Sequence, residues 1–275
     1  MKKHLTTILL VIALIVGLSV MLYPSIANFY NSLHQSRAIS DYAEAVADIG
    51  DDEYDRILSS AREYNAELYE TIYSLELSDE QLERYKSELD ITGTGIMGYI
   101  EIKKIGTFLP IYHGTEESVL QIAIGHIAGT SLPVGGENTH CVLSGHRGLP
   151  SARLFTDLDK MQEGDTFTLR TLDETLTYEV DSIRTVLPDE AEKLSVEKGR
   201  DLCTLVTCTP YGINSHRLLV TGHRVEEGYD SSSIRVTGDA IRVKPIIVAP
   251  VVASPVLLVL LILLFRDPTK KKAKK

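Results

Sequence analysis

The chain has 275 residues, 44% of them apolar, and carries 28 Lys and Arg against 38 Asp and Glu, a net charge of −10 with histidine neutral. That length holds one or two domains, and the acidic balance argues against nucleic acid as a partner, because phosphates demand a basic face. Three cysteines are too few for a disulfide scaffold, and the odd count leaves one thiol unpaired.

Leu5 to Leu22 forms an uncharged run of 18 residues, close to the shortest helix that crosses ~30 Å of hydrocarbon. Its alternative is a cleaved signal peptide, with Ser25 and Ala27 as the small-residue site. The run exceeds the roughly 7–15 apolar residues of a signal core, which favours an uncleaved anchor over residues 1–27. From about Ser32 to Asp90 the pattern turns helical: Ile39, Tyr42, Ala43 and Val46 recur at one face, as do Tyr54, Ile57, Leu58 and Ala61. Gly50-Asp51-Asp52 interrupts them, and Ser78-Asp79-Glu80-Gln81 reads as a capping box opening a helix with Leu82, Tyr85 and Leu89. Large apolar residues are sparse in this region, 28–90, so it must pack on something else.

After the hinge Thr92-Gly93-Thr94-Gly95 the period changes to that of strands. Residues 96–102, Thr166–Thr171, Leu176–Ile183, Thr204–Thr207 and Arg217–Val225 alternate or run apolar between Gly, Pro and Asp turns. Such a series predicts a mainly β fold, a closed or nearly closed barrel over residues 91–240, with one short helix at Leu149–Met161. Residues 241–275 hold a second uncharged run of 20 residues, Ile246 to Phe265, then a basic tail. Proline at 250 and 255 is better tolerated in a membrane helix than in a soluble one. Basic flanks stay cytoplasmic, which puts both termini inside and the barrel outside the cell membrane. The tails carry +7, so the outer segment carries −17.

Several motifs compete for the chemistry. Gly93-Thr94-Gly95-Ile96-Met97-Gly98 matches G-x-G-x-x-G, but a strand follows where a dinucleotide site needs a helix, so the match is coincidental. In Thr204-Leu-Val-Thr-Cys208-Thr-Pro-Tyr-Gly212 an apolar strand ends beside Cys208, and a thiol there can face a cleft. Cys203, five positions earlier, falls on the opposite face and reads as core, as does Cys141. His146, in Ser144-Gly-His-Arg-Gly148, lies just past another apolar strand and can exchange a proton near neutral pH. Arg217 opens the last strand. Were that strand to pair with the one ending at Cys208, the guanidinium would return beside the thiol and could steady an oxyanion; the alternative is a rim salt bridge. His4, His34, His113, His126, His140 and His223 read as solvated or structural, whereas His216 is not dismissed because it precedes Arg217. Zinc is disfavoured: His140, Cys141, His146, Cys203 and Cys208 lack metal-site spacing.

The run from Thr204 to Val220, with Cys208 and Arg217, closely resembles the signature of class C, pilin-polymerising sortases, and Ser144-Gly-His146-Arg-Gly resembles the block around their histidine. The resemblance extends over about residues 30–265. It implies a sortase-like β-barrel with Cys208 as nucleophile, His146 as general acid/base and Arg217 as oxyanion or substrate-orienting group, and no cofactor. It further implies cleavage of an LPXTG-like sorting signal between Thr and Gly, and transfer of the acyl group to a lysine amine of a pilin, at a Gram-positive type cell surface. The rival enzyme reading attaches LPXTG-type surface proteins to cell-wall peptidoglycan, and the rival of another class is a non-catalytic membrane-tethered binding module. One departure stands out. Class C members commonly carry an Asp-Pro-aromatic lid before the barrel, yet no proline occurs here between Pro24 and Pro110, which predicts a more open resting site.

Overall fold

The computed structural model describes residues 2–70, 77–191 and 194–226. The second apolar run and basic tail lie outside them. The core element is a closed eight-stranded barrel: β1 Ile96–Ile102, β2 Thr107–His113, β3 Ile124–His126, β4 Thr139–Ser144, β5 Thr166–Thr171, β6 Glu174–Val186, β7 Asp201–Thr209 and β8 His216–Arg224. They close in the order β1-β2-β3-β4-β7-β8-β6-β5. Most neighbours are antiparallel, but β2 with β3 and β4 with β7 are parallel. Closure removes the exposed sheet edge, and inward side chains such as Ile100, Leu143, Phe167, Leu205 and Val220 fill the interior.

The period-2 pattern explains β1: Ile100 and Ile102 are buried while Tyr99 and Glu101, which alternate with them, are partly exposed. In β7 residues 202–207 are all buried, because both faces are covered. Cys203 and Leu205 point into the barrel core, whereas Val206 joins Val142, Leu194 and Leu219 in a second apolar cluster on the outer face. Gly98, the last glycine of the rejected dinucleotide motif, has a packing role: a Cβ there would stand 2.3 Å from the Arg170 carbonyl oxygen of β5.

Three helices precede the barrel: α1 Lys2–Ala47, α2 Asp51–Glu70 and α3 Asp79–Ser87. The Ser78/Gln81 capping box is present at α3, and the Gly50 break separates α1 from α2. The sequence did not reveal that the anchor and the first ectodomain helix are one continuous rod running through Pro24. Each helix plants a tyrosine against the barrel: Tyr42, Tyr64 and Tyr85 are buried. The Tyr42 hydroxyl donates to the Met97 carbonyl (3.0 Å) and accepts from the Leu172 amide (2.8 Å). Tyr85 accepts from the Gly114 amide at 2.9 Å and lies 3.0 Å from His126. Each such ring removes enough apolar surface from water to contribute roughly 2 kcal/mol, and the polar tips of Tyr42 and Tyr85 are satisfied.

The helix expected at Leu149–Met161 is not formed; a single 3₁₀ turn, Leu158–Lys160, is present. Ala152, Leu154, Phe155, Leu158 and Met161 have helix-like spacing, yet they are used to plug one end of the barrel, where all five are buried.

His113 and His140 are bound as structural groups. His140 Nδ1 lies 2.8 Å from the Ser195 carbonyl and its Nε2 lies 2.7 Å from the Thr204 hydroxyl. Burial lowers the pKa of both rings from the ordinary 6.5. A depressed histidine stabilises the fold above its unfolded pKa and loses that contribution as pH falls through the folded value. The melting temperature is therefore expected to fall as pH drops below about 6.5. His140→Gln should flatten that slope in a thermal-melt series, whereas an unchanged slope would remove His140 from the account.

Candidate active site

Strand register brings the three singled-out residues to one end of the barrel. In the antiparallel β7–β8 pair Cys208 stands directly opposite Arg217, a placement that puts the Cβ atoms ~5 Å apart on one face. In the parallel β4–β7 pair Ser144 stands opposite Val206, so two residues further along each chain come His146 and Cys208. The two chains stay together past the end of β4: the Gly145 amide donates to the Val206 carbonyl (3.0 Å) and the Thr207 hydroxyl donates to the Gly145 carbonyl (2.7 Å). A Cβ on Gly145 would lie 2.6 Å from Ile124 and 2.7 Å from Phe155, so glycine permits the approach.

β7 runs two residues past Thr207, where the sequence pattern ends it, to Thr209 opposite His216. Cys208 is thus the penultimate strand residue. Parity then decides its face: with Cys203 and Leu205 inside, Cys208 shares the outer face with Val206, and Arg217 shares it with Leu219. Cys208 and Arg217 are partly exposed, unlike Cys141 and Cys203. Arg217 Nη1 donates to the carbonyls of Asn214 (3.3 Å) and His216 (3.2 Å), which anchors the guanidinium to its own turn. Around the site stand the exposed Tyr211 and Ile213 of the β7–β8 turn and Leu187 just after β6. Removing the helical region would disturb the barrel itself, because Leu58, Tyr64 and Tyr85 belong to the main core.

Two positioning groups escaped the sequence reading. Arg147 bridges the histidine block to the strand that carries Cys208: Nη1 donates to the Thr209 hydroxyl at 3.1 Å and Nη2 pairs with Asp159 at 2.6 Å. On the other side is α4, the single turn Glu117–Leu120. Glu117 Oε2 lies 3.6 Å from His146 Nε2, with the imidazole 28% and the carboxylate 71% exposed. The Gln121 amide, followed by the His146 charge, holds the Glu117 carboxyl below the usual range. A cavity of about 1040 Å³ lies elsewhere: Asn65, Gly136 and Asp201 line it, at the opposite end of β7.

Burial pushes the Cys203 thiol well up, and neither it nor Cys141 is reachable by solvent. A thiol-reactive chromogen is therefore expected to titrate one cysteine in the native chain and three in denaturant. Mass mapping should assign the native adduct to Cys208; fast modification of Cys141 or Cys203 would contradict the strand parity.

A thiol, an imidazole and a guanidinium thus stand at one rim of a closed barrel, with an apolar cluster alongside. Residues 100–225 match the sortase domain. Sortase C1 from Streptococcus agalactiae is 53% identical, with 69% of this chain and 98% of that one covered at a TM-score of 0.67. Sortase C of Clostridium perfringens, solved with the C-terminal cell wall sorting motif, is 43% identical, with 70% and 99% covered at 0.61. Sortase D of Bacillus subtilis is 30% identical over 131 residues, 46% of this chain. The chain spans less than two thirds of the curated relatives it matches, 63% of that protein and 60% of sortase A of Bacillus anthracis. The chain belongs to the sortase family.

Proposed function

We propose that the protein is a membrane-anchored cysteine transpeptidase of class C type that joins sorting-signal proteins through amide bonds, with pilin polymerisation as the favoured case. The observation that carries this reading is the cross-strand pairing of Cys208 with Arg217, beside the strand end that delivers His146. The Cys208 thiolate attacks the Thr carbonyl of an LPXTG-like signal, and the Arg217 guanidinium donates to the oxyanion. The Thr–Gly C–N bond breaks, His146 gives its proton to the leaving Gly amine, and a thioester remains. A pilin lysine amine then attacks the thioester carbon and passes its proton to His146. The C–S bond breaks, and an isopeptide bond and the thiolate are left. Electrons and protons balance with no cofactor in the cycle.

α1 holds a segment with mean hydropathy 2.3, the one helix among the described residues long and apolar enough to cross a membrane. It supports the N-terminal anchor of the proposed topology, in which residues 91–240 lie outside the cell. Residues 28–90 and the barrel then form the working part, 1–27 and 241–275 the anchors.

The test is mass spectrometry of the full chain after mixing with an LPXTG-type peptide. A mass gain equal to the acyl fragment, released by hydroxylamine and mapped to Cys208, is the expected result. Adding either a pilin domain or a glycine peptide then separates pilin joining from attachment to peptidoglycan. No adduct at any time would leave the non-catalytic binding module as the better reading.

A further inference from the structure

α1 does more than tether. Between Lys3 and Arg37 there is no Asp, Glu, Lys or Arg. Counted from Leu5, ~20 residues at 1.5 Å each cross the hydrocarbon, so the helix leaves it near Pro24, with Tyr23, Phe29 and Tyr30 exposed at the interface. Directly beyond, a stripe of three amides on one helix face grips the barrel. The Asn28 side-chain oxygen accepts from the Arg153 amide at 3.0 Å, and Asn31 Nδ2 donates to the Ser151 carbonyl at 3.0 Å. Gln35 Nε2 donates to the Ile122 carbonyl at 2.6 Å. All three grip backbone rather than side chains.

The two gripped loops are the ones that flank His146. In one, the Phe155 amide donates to the His146 carbonyl at 3.1 Å; in the other, Glu117 faces the imidazole. Further along, Tyr42 of α1 reaches Leu172 at the β5–β6 turn, next to Asp173 and Glu174 of the large cavity. From Asn28 to Tyr42 the helix rises about 21 Å, and from Cys208 back to Asp201 β7 covers about 23 Å. The rod and the strand therefore measure the same barrel, pole to pole, and the catalytic pole is the one gripped first after the membrane.

We propose that α1 is a rigid post that turns the catalytic end of the barrel toward the bilayer, so that Cys208 works close above the lipid headgroups on substrates held in the same membrane. By the helix rise, Asn28 stands about 6 Å and Gln35 about 17 Å beyond the hydrocarbon. A limit on reach follows: a sorting signal held at the height of the catalytic end is favoured over the same signal on a long tether or free in solution. The proposal rests on the transpeptidase reading for its substrate and on α1 as a membrane span for its geometry.

The experiment has one arm that needs no turnover. The full chain is placed in lipid nanodiscs containing a headgroup-linked acceptor dye, with a donor on Cys208. A second sample carries the donor on Glu137→Cys in a Cys208→Ala background, at the far pole. Transfer from position 208 is expected to be at least about twofold the stronger, given a pole-to-pole distance of roughly 20 Å. Seven helix-forming residues inserted after Ala27 add two turns, about 10 Å, and keep the amide face, so transfer from 208 should drop. Equal transfer from both poles, or no drop on insertion, overturns the proposal.

The second arm measures turnover of a bilayer-anchored sorting signal set on Gly/Ser spacers of increasing length. Rates should fall by roughly 10-fold between spacers of about 5 and 30 residues, as local concentration drops with tether length. The insertion should move the optimum to a longer spacer. A flat profile would equally overturn the idea. Failure to process a soluble sorting peptide would instead count against the transpeptidase reading and leave the dye measurement standing.

Discussion

Cys208→Ala is expected to abolish thioester formation and to lower transpeptidation by ~10³-fold or more, equivalent to about 4 kcal/mol of barrel-borne transition-state stabilisation. The loss should fall on chemistry alone. Cys208 is a partly exposed residue at a strand end, outside the main core, so the melting temperature should move little. Affinity for a sorting peptide, measured by fluorescence anisotropy, should stay within about threefold, since the thiol contributes to bond making rather than to ground-state contacts. Cys203→Ala supplies the opposite signature. That side chain is fully buried inside the barrel, so its truncation should cost roughly 1–2 kcal/mol of stability while the acylation rate survives. The crossed pair of results distinguishes a nucleophile from a small core residue more sharply than either variant alone. Were Cys208→Ala to keep transpeptidation in a purified preparation, the whole assignment would fail; were it to keep the cellular phenotype alone, a binding module would be favoured.

How much of this was legible beforehand depends on which interaction carried the information. Strand alternation is local, so β1 and β5 read directly from residues 96–102 and 166–171 and match the observed ends. The Cys203/Cys208 parity is also local, because an odd separation in a regular strand assigns opposite faces. The short turn between β7 and β8 made the Cys208–Arg217 pairing foreseeable, and the register puts the two opposite each other.

What escaped was tertiary in origin. Leu154, Phe155, Leu158 and Met161 have the spacing of an amphipathic helix, but that spacing served a barrel plug in which the chain needs a left-handed residue at Leu154 (φ 36°). The merging of anchor and ectodomain helix across Pro24 could not be read from periodicity, because an all-round apolar segment and an amphipathic one have different patterns although one helix holds both. The local sequence pattern does not single out Glu117 or Arg147. Only the parallel β4–β7 pairing and the α1 grip bring them beside His146 and Thr209. Arg147 left one trace, its position directly after the histidine, and Glu117 left none. Histidines 126 and 140 are spent on hydrogen bonds inside the fold, as their lack of a turn setting implied.

Arg217 is the second position with a large expected effect. Arg217→Ala should lower the acylation rate by ~10²–10³-fold, the usual cost of removing one oxyanion donor, with a smaller change in peptide affinity. Arg217→Lys keeps the positive charge but not the planar fork. If orientation of several donors matters, lysine should recover only part of the rate and stay at least about tenfold below wild type. If charge alone matters, lysine should recover nearly all of it. The geometry favours the first outcome: Nη1 is already committed to the carbonyls of Asn214 and His216, which leaves the rest of the guanidinium free to donate and fixes its plane. A lysine ammonium lacks that second attachment and would swing. Burst-phase acylation followed by quenched-flow mass spectrometry separates these cases, because the burst rate reports the step in which the oxyanion forms. Thermal melts serve as the control, since a rim salt bridge without a chemical role would change stability by at most about 1 kcal/mol and leave the burst intact. A wild-type burst in Arg217→Ala would assign the residue to that structural role and require another donor for the oxyanion.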